Sequence, residues 1–164
     1  MIEITRFQSP IGILTLIGVI EGIIKISYDF KSVESLEEWC RWKLDLKTIS
    51  GNNYNRYAKE QILNYLDGKC YYLDFPVVHF NTPFRKRVLE TERKISYGET
   101  CSYGEVAKMV GNPNAFRAVG SANAKNPLPL YYPCHRIIHS CGNLGSYGGG
   151  IKVKKYLLDL EHSL

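Results

Sequence analysis

Asn126-Pro127-Leu128-Pro129-Leu130-Tyr131-Tyr132-Pro133-Cys134-His135-Arg136-Ile137-Ile138 is the stretch on which the rest of the chain turns. Its prolines fix the backbone around a single cysteine. That cysteine lies directly against a histidine and an arginine. A thiol among cations can have its pKa lowered toward the reactive thiolate. Burial in the surrounding apolar run acts the other way. The expectation is a cysteine in a shaped, partly buried slot.

Upstream, Thr82-Pro83 supplies a capping hydroxyl followed by proline, a helix start, with a helix to about Lys94 that buries Phe84, Val88 and Leu89. Ser102-Tyr103-Gly104-Glu105 reads as a capping box. It opens a short helix with Val106, Met109 and Val110 on its apolar face and Gly111 at its end. Asn112-Pro113-Asn114 then turns into a second helix, Ala115 to Ala124, and the pair suggests a helix-turn-helix. The second helix is mostly Ala, Gly and Ser, with Arg117 as its long probe. Reading base edges in the major groove needs long polar side chains, whereas the minor groove is only ~6 Å wide and admits a thin helix. The alternative is that the small residues pack against another helix.

Downstream, five glycines in the nine residues Gly142–Gly150 make a loop whose amides can approach a ligand closely. A helix from Ile151 to His162 follows, carrying Ile151, Lys154-Lys155, Tyr156, Leu157 and Leu160, with Asp159, Glu161 and His162 near its end.

The first half reads differently. Ile2–Phe7, Ile13–Val19 and Gly22–Tyr28 are β-like runs separated by turn residues, an antiparallel meander. Ser32 or Ser35 can start a helix carrying Leu36, Trp39, Cys40 and Trp42. Tyr54 to Leu66 fits a second helix, with Tyr57, Ile62 and Leu66 apolar and Gly68 as its stop. Leu73–Phe80 reads as extended. Trp39, Trp42, Tyr71 and Tyr72 are read as core or interface residues and His79 as structural. This half is read as support.

Composition agrees with a globular protein of 164 residues, with 45% hydrophobic and 23% charged residues. The opening MIEITRFQSP has no basic stretch followed by an apolar one, so no signal peptide is expected, and no apolar run approaches a ~20-residue membrane span. Five spread cysteines suit reduced thiols in the cytoplasm better than a disulfide framework. Residues 1–80 hold nine Lys/Arg and ten Asp/Glu, whereas residues 81–164 hold twelve and six. A basic excess confined to the second half suggests a polyanionic partner there, or a solvated basic surface.

From Thr82 to Glu161 the chain resembles the DNA-repair alkyltransferases that remove alkyl groups from the O6 position of guanine. The resemblance rests on Pro133-Cys134-His135-Arg136-Ile137, Tyr103, Arg117-Ala118-Val119-Gly120, Asn126-Pro127-x-Pro129 and Tyr147-x-Gly149-Gly150, all in order. It implies an α+β fold. Residues 1–80 would be an RNase H-like supporting domain with an antiparallel sheet. Residues 81–164 would be a mostly helical, winged-helix-like domain carrying the helix-turn-helix and the alkyl acceptor. By the same resemblance Cys134 is the nucleophile, His135 activates it through a bridging water, and Glu161 orients the histidine. Tyr103 donates to the departing guanine. Arg117 replaces the extruded nucleotide, as in base flipping, with Ala118, Gly120 and Ser121 also on the DNA. Asn126, Pro129, Ile137, Tyr147, Gly148 and Gly149 would form the substrate pocket, with the Cys134 and Ile137 carbonyls facing the exocyclic amine.

The expected partner is double-stranded DNA containing O6-alkylguanine, with O4-alkylthymine a second candidate substrate. No metal, cofactor or membrane is expected, and the protein is expected to be a cytoplasmic monomer. Three departures stand out. Gly148 lies where relatives often carry a serine. Tyr131-Tyr132 replaces an aliphatic pair and either alters the pocket or packs. Asn123 stands where an apolar residue can occur.

Three rivals remain in view. A zinc site of Cys134, His135, His139 and Cys141 has poor spacing for tetrahedral coordination. A cysteine hydrolase would use the same cysteine, histidine and carboxylate but leaves the thin helix unexplained. A non-catalytic sensor of alkyl damage would share the scaffold, yet such relatives lack the cysteine.

Overall fold

The structure is a computed structural model that describes residues 1–28, 38, 40 and 47–162. It divides into two units, Met1–His79 and Phe80–Leu164.

In the first unit, β1 (Ile2–Ser9), β2 (Gly12–Val19) and β3 (Gly22–Tyr28) form the expected meander. Each pairs antiparallel with the next. A fourth strand, β4 (Thr48–Ser50), pairs parallel to β1, so the sheet order is β3-β2-β1-β4. The sheet is therefore mixed, and its three-residue edge strand carries too little pattern to be read from sequence. The helix that follows, α1, spans Arg56–Leu66 and buries Ala58, Ile62, Tyr65 and Leu66. Tyr57 is exposed, contrary to expectation, and Tyr65 occupies the inward position instead. Glu3 on β1 is fully buried and accepts hydrogen bonds from the backbone amides of Asn53, Tyr54 and Asn55 at 2.6, 2.6 and 3.0 Å. A carboxylate from a strand thus satisfies free donors where the helix begins. The Asn55 side chain bonds the Glu3 and Leu16 carbonyls. It lies so close to Gly18 that a Cβ there would fall 2.0 Å from Asn55 Oδ1.

The stretch expected to be extended, Leu73–Phe80, runs beside β3: Ile23 N donates to Pro76 O and Val78 N to Ile23 O, both at 2.9 Å. Leu73 and Phe75 are buried. Tyr71 and Tyr72 are exposed, not core. The helix expected from Ser32 or Ser35, with Leu36, Trp39 and Trp42, lies outside the described residues. Cys40 is buried.

The second unit carries α2 (Pro83–Glu92), β5 (Cys101–Ser102), α3 (Tyr103–Met109), α4 (Phe116–Ala124), a 3-10 turn (Cys134–Arg136), β6 (Ile137–Ile138) and α5 (Ile151–His162). Thr82 Oγ1 caps α2 by accepting from Arg85 N. The capping box forms in both directions: Ser102 N donates to Glu105 Oε2 at 2.6 Å, and Glu105 N to Ser102 Oγ at 3.1 Å. Val88, Ile95, Val106, Ala107, Val119, Ala122 and Ile137 make one apolar core under these helices. Met109, expected on the buried face of α3, is exposed, and Ala107 takes the inward position. β5 pairs parallel to β6, which ties the start of α3 to the residues just after Cys134.

Candidate active site

The path into Cys134 is a built loop. Asn126 follows Lys125, the C-cap of α4, and its side chain works in three directions. Oδ1 accepts from Leu128 N at 2.9 Å, while Nδ2 donates to Tyr132 O at 3.0 Å and to Cys134 Sγ at 3.2 Å. Leu130 takes φ +72°, a left-handed conformation that costs a branched side chain of order 1–3 kcal/mol. The Tyr132 N–H···O Leu128 bond of 2.9 Å closes the turn that holds it there. Tyr132 is fully buried, and its hydroxyl donates to Glu90 Oε1 at 2.9 Å. Tyr131 is covered by Arg93, whose Cζ lies 3.6 Å from the ring centroid. Both tyrosines therefore serve packing around the loop. Pro129 is buried and bridges to Tyr132.

Cys134 is buried. Burial, reinforced by the Glu92 carboxylate, pushes its thiol up to about 12, against the pull of the Asn126 amide and Lys154. Of the two opposing influences named from sequence, burial wins. His135 is fully buried and its Nε2 lies 2.8 Å from Glu161 Oε1. Burial lowers its pKa despite the carboxylate, so the ring is neutral at physiological pH. Burial alone would raise Glu161, but hydrogen bonds from His135 and Arg136 outweigh it and hold the carboxyl at about 2.

Two residues that sequence reading left without a role complete this cluster. Arg136 donates to both Glu161 oxygens, with its Nη2 2.8 Å from Oε1, and its Nη1 bonds Ile95 O at 2.6 Å. Lys154 is buried on α5 and its Nζ donates to Ile137 O at 2.6 Å and Leu144 O at 2.5 Å. The spacing of Lys154 and Glu161, seven residues apart on one helix, was the available signal: both fall on one face. Because Ile137 O already accepts from Lys154, only its second lone pair remains for a ligand.

A cavity of about 670 Å³ lies alongside, lined among others by Ser102, Tyr103, Phe116, Arg117, Gly120 and His139. Cys134 is not among its lining residues. Tyr103 links the two regions: burial first, then the charges of Cys134 and Glu92, raise its hydroxyl pKa. On α4, Arg117, Ala118 and Ser121 are exposed while Val119 and Ala122 face the core. Ala118 and Ser121 thus belong to an outward surface, while Ala122 packs in the core with residues of α2 and α3. Gly149 is buried, Tyr147 half-buried and Gly148 exposed with open space around it. His139 and Cys141 are exposed whereas Cys134 and His135 are buried, and among the described residues no group of three or more His, Cys, Asp or Glu could hold a metal.

A family model described as the DNA-binding domain of 6-O-methylguanine DNA methyltransferase matches residues 83–163. The methylated-DNA–protein-cysteine methyltransferase of Methanosarcina acetivorans is 38% identical over 157 residues, 96% of either chain. The chain belongs to the methylated-DNA–protein-cysteine methyltransferase family. The Mycobacterium tuberculosis methyltransferase of that name is 40% identical over 165 residues, 99% of this chain and 94% of its own. The crystal structure of Mycobacterium tuberculosis OGT in complex with DNA matches with a TM-score of 0.86 at 35% identity, over 98% of this chain and 93% of that one. Family membership extends over both units, including the first, where sequence reading saw only architectural likeness. Among the described residues no helix is long and apolar enough to cross a membrane.

Proposed function

We propose that Cys134 accepts a methyl or larger alkyl group from the O6 atom of guanine in duplex DNA and keeps it. The protein is a DNA-repair methyltransferase that transfers alkyl groups to cysteine, as its full-length relatives are. The observation that carries the assignment to Cys134 is local: its sulfur receives the Asn126 amide at 3.2 Å and is adjacent in sequence to a His135–Glu161 pair at 2.8 Å.

The chemistry follows from these groups. His135 is neutral and Glu161 ionised, so the imidazole can take the thiol proton, through a bridging water, and share the resulting charge with the carboxylate. With Nε2–H directed at Glu161, the basic lone pair lies on Nδ1. The sulfur then attacks the alkyl carbon, the S–C bond forms and the C–O6 bond breaks. Tyr103 donates a proton to the leaving guanine, and the proton taken from Cys134 restores the balance. No redox partner or nucleotide cofactor is needed. A thioether does not hydrolyse, so each molecule acts once.

The cavity beside α4 supports extrusion of the target nucleotide, with Arg117 filling its place in the stack and Ala118, Gly120 and Ser121 against the minor groove. Pro129, Tyr147, Gly148 and Gly149 are assigned to the pocket around the base. Gly148 leaves no hydroxyl for O6, and its backbone amide takes that role. The first unit is a support, and the working form is a cytoplasmic monomer. Cys134→Ala tests the assignment against a damage sensor: it abolishes transfer from an O6-methylguanine duplex yet keeps binding to that duplex. Retained transfer in that variant rules Cys134 out.

A further inference from the structure

We propose that His139 is a positioning residue for the transfer: its imidazole, packed on the ring of Tyr103, aims the Tyr103 hydroxyl at the departing guanine. The proposal rests on the reading of Tyr103 as the donor to that base. His139 lies outside every motif that carries the family resemblance, and its only sequence reading was as a zinc ligand.

Three observations converge on it. The His139 and Tyr103 rings lie 5.3 Å apart between centroids, tilted by 46°, within the range of favourable aromatic contacts. Gly145, at φ +75°, brings its backbone to the same spot: a Cβ there would fall 2.9 Å from His139 Nε2 and 3.5 Å from the Tyr103 hydroxyl. The histidine is itself anchored, since His139 N donates to Asn143 O and His139 O accepts from Gly142 N, both at 2.9 Å. On its inner side Tyr103 packs against the apolar core of the second unit. Gly120 of α4 presents no side chain to the ring, where a Cβ would sit at an ordinary contact distance of 3.9 Å. Tyr103 is only half-buried and borders the same cavity as His139 and Arg117. The core holds the ring from beneath, and at the cavity rim His139 is the aromatic side chain packed on it. An aromatic face, not a charge, is what the geometry uses.

The experiment is a double-mutant cycle on the full chain, read as single-turnover transfer from an O6-methylguanine duplex. His139→Ala is expected to slow transfer about three- to tenfold, the scale of one aromatic contact. Its melting midpoint and its binding to undamaged duplex should match the parent. His139→Phe, which keeps a ring on Tyr103, should restore most of the rate. In a Tyr103→Phe background, which lacks the hydroxyl, His139→Ala should add no further loss. An equal loss in both backgrounds, no loss in either, or a parallel loss of binding to undamaged DNA overturns the proposal. If Tyr103→Phe alone transfers at the parental rate, the reading of Tyr103 fails first and the role of His139 falls with it.

Discussion

At the residue scale, the proposed alkyl acceptor is a cysteine whose surroundings hold it protonated. A thiol at about 12 gives almost no thiolate at neutral pH, so the proposed transfer depends on His135 as the base. Burial sets the histidine below its ordinary value of 6.5, and protonation of the ring would remove the base. The single-turnover rate is therefore expected to stay level from about pH 8 down through 6.5 and to fall only in more acidic buffer, as rapid-quench measurements across that range can check. Asn126 Nδ2 is the hydrogen-bond donor to the sulfur, and such a bond strengthens as charge develops on it. Asn126→Ala is expected to slow transfer about ten- to a hundredfold, equivalent to a charge-assisted bond of about 1.5–3 kcal/mol. Glu161 has a structural weight as well. Glu161→Gln leaves Arg136 buried without its counter-ion and should cost about 3–5 kcal/mol of stability in denaturant titrations, besides depriving His135 of its orienting carboxylate.

At the element scale, α4 and α2 show what was legible in the sequence and what was not. The small-residue run of α4 was legible, but which way it faced was not. Two helices of similar sequence can bury or expose alanines, and only the placement of Val119 and Ala122 in the core decides it. Arg117→Ala should therefore lower repair of duplex DNA more than reaction with a free O6-alkylguanine base, because only the duplex has a gap to fill. Tyr57 and Met109 were misassigned for a related reason: each lies at the border of its helix's apolar face, where periodicity alone does not choose between neighbours. α2 holds a feature with no sequence signal. Glu92 is fully buried, and its carboxylate faces the Asn123 amide without a well-formed hydrogen bond to either oxygen. Burial raises its pKa to about 8, and the Asn123 amide and Lys154 charge offset only part of that. The folded state then binds a proton that the unfolded chain, at 4.5, has already released. Stability contributed by this group is present below about pH 4.5 and is lost as pH rises through about 8. Glu92→Gln should flatten that alkaline loss, measured as the melting midpoint from pH 6 to 9.

At the scale of the whole molecule, the second unit was readable almost end to end because its chemistry sits in short, ordered motifs: the capping box, the Asn126-to-Ile138 loop and the glycine run. The first unit was readable only as a meander. Its fourth strand is three residues long, and the carboxylate at the start of α1 comes from Glu3, some fifty residues away. Such long-range satisfaction of backbone donors leaves no local pattern. The same limit applies to the cluster at Cys134, where Arg136 and Lys154 act through contacts that bring together the loop and α5. What unites these parts is a single covalent outcome. Incubating the protein with a molar excess of duplex DNA containing O6-methylguanine, followed by intact-mass and peptide mapping, tests it most directly. One methyl group per protein molecule, carried on Cys134 and formed without added metal or cofactor, is the predicted result; a methyl group on any other residue, or turnover beyond one per molecule, would contradict it.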